Sequence, residues 1–218
     1  MKKIKVLIAD DHTIVRKGLC SLLRGENDIT VIGEARDGKE VIRKVAELSP
    51  DVIVMDINMP RLNGIEATRN IKKNKPSMGI IILTMYSDEG YVHEAILAGA
   101  SGFLIKNTIP QDLCSAIRAV SRGESFLSPA ISKTVIERYT KLSPSDKGEL
   151  PKKDLTSRER EIVQLIAEGY TNREISELLF ISSKTVEVHK QNIQKKLNIS
   201  GTALLTQYAI RKGLIKIE

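Results

Sequence analysis

Residues 52–56 read Val-Ile-Val-Met-Asp, an uninterrupted apolar run that ends in a carboxylate. Such a run is typical of a central strand in a parallel sheet, because that strand is buried on both faces. Four further apolar runs alternate with five stretches of helical periodicity along the first 121 residues. We therefore predict strands at 4–9, 29–35, 51–55, 79–84 and 102–105, and helices at 13–23, 38–48, 63–73, 90–98 and 110–121. This order indicates an α/β domain at 1–121, with a doubly wound, five-stranded parallel sheet and helices on both faces.

The pattern changes after residue 121. Prolines at 129, 144 and 151 interrupt residues 122–153, where we predict a linker with one short helix at 131–139. From residue 154 the periodicity is wholly helical, with segments predicted at 157–168, 172–179, 183–197 and 201–212. Each segment follows a candidate capping residue, namely Thr156, Thr171, Ser182 and Ser200. We therefore expect a second, smaller all-α domain of four helices at 154–218.

The charge of the chain is unevenly distributed. The sequence has 34 Lys and Arg residues against 27 Asp and Glu residues, a formal net charge of +7. Residues 1–128 carry 18 basic and 16 acidic side chains, whereas residues 151–218 carry 12 and 8. A basic tail favours a polyanionic partner such as nucleic acid. A basic protein that is merely soluble is the alternative at this point.

Several classes of protein are excluded by composition. The first ten residues contain no signal-peptide core, and no stretch approaches the roughly 20 apolar residues that a membrane span needs. The two cysteines, Cys20 and Cys114, are too few for a disulfide scaffold or a cysteine-rich metal site. We therefore expect a cytoplasmic protein that makes no contact with a membrane.

Polar side chains stand at the carboxyl ends of four predicted strands. They are Asp10 and Asp11 on the first strand, Asp56 on the third, Thr84 on the fourth and Lys106 on the fifth. These ends share one edge of a doubly wound sheet, so we expect the side chains to meet. Three carboxylates in one place repel one another unless a cation neutralises them, and oxygen ligands suit Mg²⁺. We predict a Mg²⁺ site there, to which Asn58 offers its backbone carbonyl.

This cluster also suits phosphoryl chemistry. A carboxylate beside a bound cation can attack phosphorus, because the cation neutralises the incoming phosphoryl group. Asp56 is the best candidate for the nucleophile, since it ends the most central strand opposite the aspartate pair. Lys106 supplies a positive charge and Thr84 a hydroxyl group for the phosphoryl oxygens.

Residues 172–197 have the spacing of a helix-turn-helix. The longer helix presents a polar and basic outward face, made of Lys184, Thr185, Glu187, Val188, Gln191 and Lys195. Polar and basic residues on the N-terminal half of a second helix suit insertion into the major groove of DNA. An ordinary solvated helix in a small bundle is the alternative.

Residues 1–121 resemble the receiver domain of bacterial two-component response regulators, which has a flavodoxin-like sheet. The resemblance rests on residues 9–12 (Ala-Asp-Asp-His), on 55–64 around Asp56, on Leu83-Thr84 and on 99–106. It implies that Asp56 accepts a phosphoryl group from a sensor histidine kinase. It also implies that Asp10 and Asp11 hold Mg²⁺, with Asp11 as the direct ligand, and that Thr84 and Lys106 contact the phosphoryl group. Phe103 takes the place of the family's switch aromatic, and Asn107 stands where many receivers have proline.

Residues 154–218 resemble the DNA-binding domain of the LuxR/FixJ/NarL type. The resemblance rests on residues 155–161, 168–175 and 184–189. It implies that Glu187, Val188 and Gln191 face base edges. It implies further that phosphates are held by Lys184, Thr185, Lys195 and Arg173. Because the two resemblances cover almost the whole chain in the family's order, the chain is identified as a member of the NarL/FixJ group of response regulators.

The two resemblances together imply a phosphorylation-gated transcription factor, not an enzyme, that binds promoter DNA as a dimer. Candidate dimer faces are the first and fifth receiver helices and the last helix of the tail, with Ala203, Leu204, Gln207 and Tyr208. A Mg²⁺-dependent acyl-phosphate hydrolase and a flavodoxin-like cofactor binder stay open. Asn58 argues against the hydrolase, which usually carries a second catalytic aspartate there. The stretch Asp10-Asp11-His12 argues against the cofactor binder, because its carboxylates repel a phosphate unless a metal is present.

Overall fold

The computed structural model describes residues 3–84, 89–106, 110–141 and 155–215. The chain divides into two compact units, one within residues 1–141 and one within residues 142–218. We refer to them as the first unit and the second unit.

The described residues of the first unit form a parallel sheet of six strands. The strands are β1 (Ile4–Ala9), β2 (Ile29–Ala35), β3 (Val52–Asp56), β4 (Gly79–Thr84), β5 (Gly102–Ile105) and β6 (Phe126–Leu127). Their order is β2-β1-β3-β4-β5-β6, which confirms the doubly wound α/β fold. The predicted number of five strands was wrong, because β6 adds a sixth beside β5. A strand of two residues has no alternation for a sequence pattern to detect.

Helices cover both faces of this sheet. They are α1 (Thr13–Arg24), α2 (Gly38–Leu48), α3 (Gly64–Asn74), α4 (Glu89–Leu97), α5 (Pro110–Ser121) and α6 (Pro129–Lys141). One apolar cluster joins the sheet to α1 and α5, and another joins it to α2, α3, α4 and α6. The strand β3 contributes Ile53 and Met55 to one cluster and Val52 and Val54 to the other. Burial on both faces explains why its sequence is continuously apolar.

Part of the predicted linker belongs to the first unit. Helix α6 packs on α4 and β5, and its Ile131 is fully buried in the cluster that contains Val92 and Phe103. The composition misled the prediction at Pro129, which stands at the first position of α6. Proline is tolerated there because that residue needs no intrahelical N–H donor. The remainder of the predicted linker, residues 142–153, lies outside the described residues.

We expect Ile131→Ala to destabilise the first unit by roughly 2–5 kcal/mol, because it leaves a cavity in the core. The matched control is Ile136→Ala on the same helix, where the side chain is 62% exposed. This control should change the free energy of unfolding by at most about 0.5 kcal/mol. Urea unfolding followed by circular dichroism measures both, and equal stabilities would contradict the packing of α6.

The described residues of the second unit are helical, as the sequence predicted. The helices are α7 (Ser157–Ala167), α8 (Asn172–Leu179), α9 (Ser183–Leu197) and α10 (Thr202–Arg211). The side chains of Thr156, Thr171 and Ser182 each accept a backbone N–H bond and cap α7, α8 and α9. Thr156 and Thr171 form full capping boxes with the glutamates three residues later. The predicted cap at Ser200 was wrong, because α10 begins one residue later, after Gly201 at a φ of 83°.

Candidate functional site

The acidic side chains of the first unit meet between β1 and β3. These strands are neighbours in parallel register, with Ala9 opposite Met55. Asp10 follows Ala9 directly and Asp56 follows Met55, so the two carboxylates come from adjacent strand ends. The helices that follow these strands, α1 and α3, pack on opposite faces of the sheet. A crevice at this reversal is the usual place for a ligand in such a fold.

Lys106 joins the two carboxylates. Its Nζ lies 2.7 Å from Oδ2 of Asp10 and 3.1 Å from Oδ2 of Asp56. Its backbone N–H donates to the carbonyl oxygen of Thr84 at 2.6 Å, which ties the ends of β4 and β5 together. Thr84 is buried one residue beyond Leu83, the register partner of Asp56. The structure therefore places a buried carboxylate, an ammonium group and a hydroxyl group at one edge of the sheet.

Burial and neighbouring charges together shift the pKa values of Asp56 and Lys106. Burial raises the pKa of Asp56 from its ordinary value of 3.8 to about 6; the charge of Lys106 opposes this increase and the charge of Asp10 adds to it. Burial by itself would lower the pKa of Lys106, but the charges of Asp56 and Asp10 outweigh it, and that pKa is raised. A further cation at the carboxylates would favour the charged form of Asp56.

Candidate ligand atoms for a cation, most of them carboxylate oxygens, lie close together here. One ligand atom each from Asp10, Asp11, His12 and Asp56 lie within 4.8 Å of one another. The Nδ1 atom of His12 is 2.9 Å from Oδ1 of Asp11 and 3.3 Å from Oδ1 of Asp10, a contact that the sequence had not suggested. Carboxylates in an incomplete cage fit Mg²⁺, which keeps several waters. The backbone carbonyl of Asn58 as a further ligand stays a prediction.

The loop after β3 packs tightly against Asp56. A Cβ atom on Gly64 would overlap the carbonyl oxygen of Asp56, so this position requires glycine. The Gly64 N–H donates to the carbonyl oxygen of Ile57 at 2.8 Å. Arg61, at a φ of 65°, forms an ion pair with the buried Asp37 and so connects the loop to the start of α2. These contacts hold the loop beside the candidate nucleophile.

Phe103 lies in the core of the first unit. It is 2% exposed on β5, in the same cluster as Val92 and Ala95 of α4 and Ile131 of α6. Its role as a switch aromatic stays a prediction. Because Phe103 shares this cluster with residues of α4 and α6, we expect its movement to affect the packing of both helices.

In protein stripped of metal, we expect Asp56→Asn to be more stable than wild type near pH 8 but not near pH 4. The pKa of Asp56 is raised in the folded chain, so its contribution to stability is lost as the pH rises through about 6. At about 1.4 kcal/mol for each pKa unit, the variant gains roughly 3 kcal/mol at the higher pH. Urea unfolding in EDTA at the two pH values measures this difference.

The control for this prediction is Asp51→Asn at the opposite end of β3, where the carboxylate accepts an exposed N–H from Lys5. The free energy of unfolding of Asp51→Asn should change with pH as that of wild type does. If the free energy of unfolding of Asp56→Asn changed with pH in the same way as that of wild type, the raised pKa of Asp56 would be contradicted.

In the second unit, the predicted DNA-contacting residues of α9 are exposed. Lys184, Glu187, Val188, Gln191 and Lys195 share one stripe of the helix, since they recur at spacings of three and four residues. Val186 and Ile193 are fully buried on the other side. Thr185 is exposed beside the stripe, with its hydroxyl 2.8 Å from that of Ser182.

A second helix contributes to this stripe. Asn172, at the start of α8, donates from Nδ2 to Oε2 of Glu187 at 2.7 Å. The contact orients the one acidic side chain of the stripe, and the sequence had not suggested it. Arg173 is 86% exposed, and its Nε donates to Glu177 at 3.2 Å. Polar groups of α8 therefore border the exposed face of α9.

None of the helices among the described residues has the length and apolar character that a membrane crossing requires. This observation concerns residues 3–84, 89–106, 110–141 and 155–215.

Comparison with known families matches both units. The family model of the response regulator receiver domain matches residues 6–118. The model of the bacterial regulatory proteins of the luxR family matches residues 153–209.

Individual relatives match over nearly the whole chain. The transcriptional regulatory protein LiaR of Bacillus subtilis is 45% identical, over 97% of this chain and 99% of its own length. The oxygen regulatory protein NreC of Staphylococcus carnosus is 40% identical over the same shares. Among solved structures, the response regulator ChrA of a heme-sensing two-component system is 35% identical, with a TM-score of 0.55 over 99% of this chain and 100% of that one. The response regulator RcsB in complex with DNA is 28% identical, with a TM-score of 0.60 over 97% and 99%. The chain therefore belongs to the NarL/FixJ-type response regulators, the phosphorylation-gated and DNA-binding transcriptional regulators that join a receiver to a LuxR-type helix-turn-helix.

Proposed function

We propose that Asp56 accepts the phosphoryl group that gates this regulator, with a sensor histidine kinase as the donor. The observation that carries the proposal is the position of Lys106, whose Nζ lies within 3.1 Å of both Asp10 and Asp56. A carboxylate oxygen of Asp56 attacks phosphorus, an O–P bond forms, and the bond from phosphorus to the donor's histidine nitrogen breaks. Asp10, Asp11 and Asp56 would hold Mg²⁺, which neutralises charge on the phosphoryl oxygens when it is bound.

Lys106 and Thr84 would then stabilise the product. The phosphoryl group adds about −1.5 to −2 charges. Lys106 turns from the carboxylates to a phosphoryl oxygen, and the hydroxyl of Thr84 donates to another. Phe103 moves into the space that Thr84 leaves, which shifts α4, β5 and α5. Because α6 packs on α4 and β5, the shift extends to the helix that leads out of the first unit.

For the second unit, we infer that α9 enters the major groove of promoter DNA. Glu187 accepts from cytosine N4, Gln191 pairs with adenine, and Val188 contacts a thymine methyl. Phosphates are held by Lys184, Thr185, Lys195 and Arg173. All seven side chains are exposed, which supports this assignment. Asn172 keeps the Glu187 carboxylate hydrogen-bonded until it meets its base.

We propose further that the regulator binds DNA as a dimer, since one small helical unit makes too few contacts for tight binding. On α10, Ala203, Leu204 and Gln207 are exposed, whereas Tyr208 packs against the core of the second unit. The receiver face of α1 and α5 is the second candidate; Ile14 on α1 is 88% exposed.

Footprinting of the full chain on promoter fragments selected from genomic DNA for binding to it tests this function. We expect acetyl phosphate with Mg²⁺ to strengthen protection of a two-fold related site in wild type. Asp56→Asn should protect that site equally with and without the phosphodonor, because it carries no nucleophilic carboxylate oxygen. Equal protection by wild type under both conditions would contradict gating.

A further inference from the structure

We propose that Arg16 is a positioning residue of the metal pocket: its guanidinium holds the backbone of Asp10 and Asp11 so that their carboxylates face the cation. The inference rests on the proposed role of the Asp56 cluster and names a group that controls its affinity for metal. Arg16 is not a metal ligand, because a guanidinium has no lone pair to offer. It acts through the two aspartates.

Arg16 lies on the buried side of α1. It shares that side with Cys20 and Leu23, four and seven residues later, and is only 6% exposed. A charged side chain on an apolar stripe is rare, because burying it is costly unless it is paired and hydrogen-bonded. The position of Arg16 therefore requires partners.

The partners of Arg16 are the backbone of the acidic loop, one carboxylate of β2 and, at 3.5 Å, the hydroxyl group of Thr13. Nη1 donates to the carbonyl oxygen of Asp10 at 2.7 Å and to that of Asp11 at 3.5 Å. Nε donates to Oε2 of Glu34 at 3.0 Å. A planar guanidinium can make these bonds at once, whereas an ammonium group cannot reproduce the fork.

These hydrogen bonds restrain the backbone conformation of the loop at Asp10 and Asp11. The N–H of Asp10 donates to the carbonyl oxygen of Ala35 at 3.1 Å, and its carbonyl accepts from Arg16. Both sides of Asp10 are thus held, and the peptide that leads to Asp11 cannot rotate freely. Without Arg16, the peptide between Asp10 and Asp11 loses a restraint that acts against the mutual repulsion of their carboxylates.

Electrostatics supports a geometric role. The positive charge of Arg16 opposes a bound cation, and Glu34, which also pairs with Lys17, offsets part of that charge. The hydrogen bond from Lys17, with the bond from Arg16 adding to it, holds the pKa of Glu34 below its usual range, so this carboxylate is charged. Lys17 cannot replace Arg16, because its side chain is 62% exposed and contacts Glu34 instead of the loop. Removal of the Arg16 charge would by itself favour a bound cation, so a loss of affinity on its removal reports the geometry of the ligands.

Calorimetric titration of the full chain with Mg²⁺ tests the proposal. Arg16→Ala should raise the Kd for Mg²⁺ by about 10-fold to 100-fold, the usual effect of removing a group that orients a ligand. Arg16→Lys should give a smaller increase, because it restores one donor. The control is Arg118→Ala, which removes another arginine that bridges two carboxylates, Asp28 and Glu26, and should leave the Kd unchanged.

Labelling with acetyl phosphate separates positioning from a merely structural role. In Arg16→Ala, the Mg²⁺ concentration for half-maximal labelling should rise with the Kd, while labelling at saturating Mg²⁺ stays near wild type. A folded Arg16→Ala with the wild-type Kd, or one with less labelling at every Mg²⁺ concentration and no change in Kd, would overturn the proposal. If Arg16→Ala fails to fold, Arg16→Lys decides: a raised Kd supports positioning, and a wild-type Kd overturns it. If wild type binds Mg²⁺ but is not labelled, that result overturns the proposed role of Asp56 and leaves the positioning role of Arg16 to be decided by the Kd values.

Discussion

Replacement of Asp56 by asparagine is expected to abolish labelling by acetyl phosphate and Mg²⁺, with a loss of at least about 10³-fold. The amide has no nucleophilic carboxylate oxygen, and it also removes one of the negative charges that attract the cation. Lys106 keeps its contact to Asp10 at 2.7 Å, so we expect the pocket to stay folded. Gel analysis with radiolabelled acetyl phosphate measures the effect.

Asp51→Asn is the matched control, because Asp51 stands directly before β3 and Asp56 ends that strand. Both substitutions exchange one carboxylate for an amide, but only Asp56 faces Lys106. Normal labelling of Asp51→Asn is therefore expected. Undiminished labelling of Asp56→Asn would contradict the assignment, and steady release of phosphate from a small phosphoester by wild type would revive the acyl-phosphate hydrolase.

The double variant Lys184→Ala/Lys195→Ala is expected to weaken promoter binding by about 10²-fold, at roughly 1.5 kcal/mol for each charged hydrogen bond lost. Phosphate contacts release counterions, so the slope of log K against log salt should also fall by about 0.9 for each contact removed. Both lysines are exposed on α9. Binding of the full chain to promoter DNA, measured by fluorescence anisotropy over a salt series, gives the affinity and the slope.

Lys73→Ala/Lys133→Ala controls for net charge. It removes the same two charges from exposed positions of α3 and α6 in the first unit. We expect its affinity and salt slope to be close to wild type, because long-range charge is largely screened at physiological salt. An equal loss of affinity in the two double variants would show that the total charge, and not the exposed face of α9, determines binding to DNA.

Several boundaries could be predicted because their causes are local. The strands 4–9, 29–35, 79–84 and 102–105 match the structure residue for residue, since each is a short, mainly apolar segment rich in β-branched residues or flanked by turn residues. The caps at Thr156, Thr171 and Ser182 were also local, because a hydroxyl group reaches a backbone N–H three residues ahead. The prediction failed at Ser200 and at β6, where the outcome depends on a glycine of positive φ and on a pairing with β5.

The sequence by itself determined the α/β order of the first unit, the helical second unit and the residue types at the strand ends. Only the tertiary structure decided which of these groups touch: Lys106 lies 96 residues from Asp10, and Asn172 lies 15 residues from Glu187. It also placed Arg16 under the acidic loop, although an arginine on the apolar side of α1 was a signal that the sequence already contained. The physical reason is that periodicity and capping act over a few residues, whereas ion pairs and metal pockets depend on distances between elements far apart in the chain.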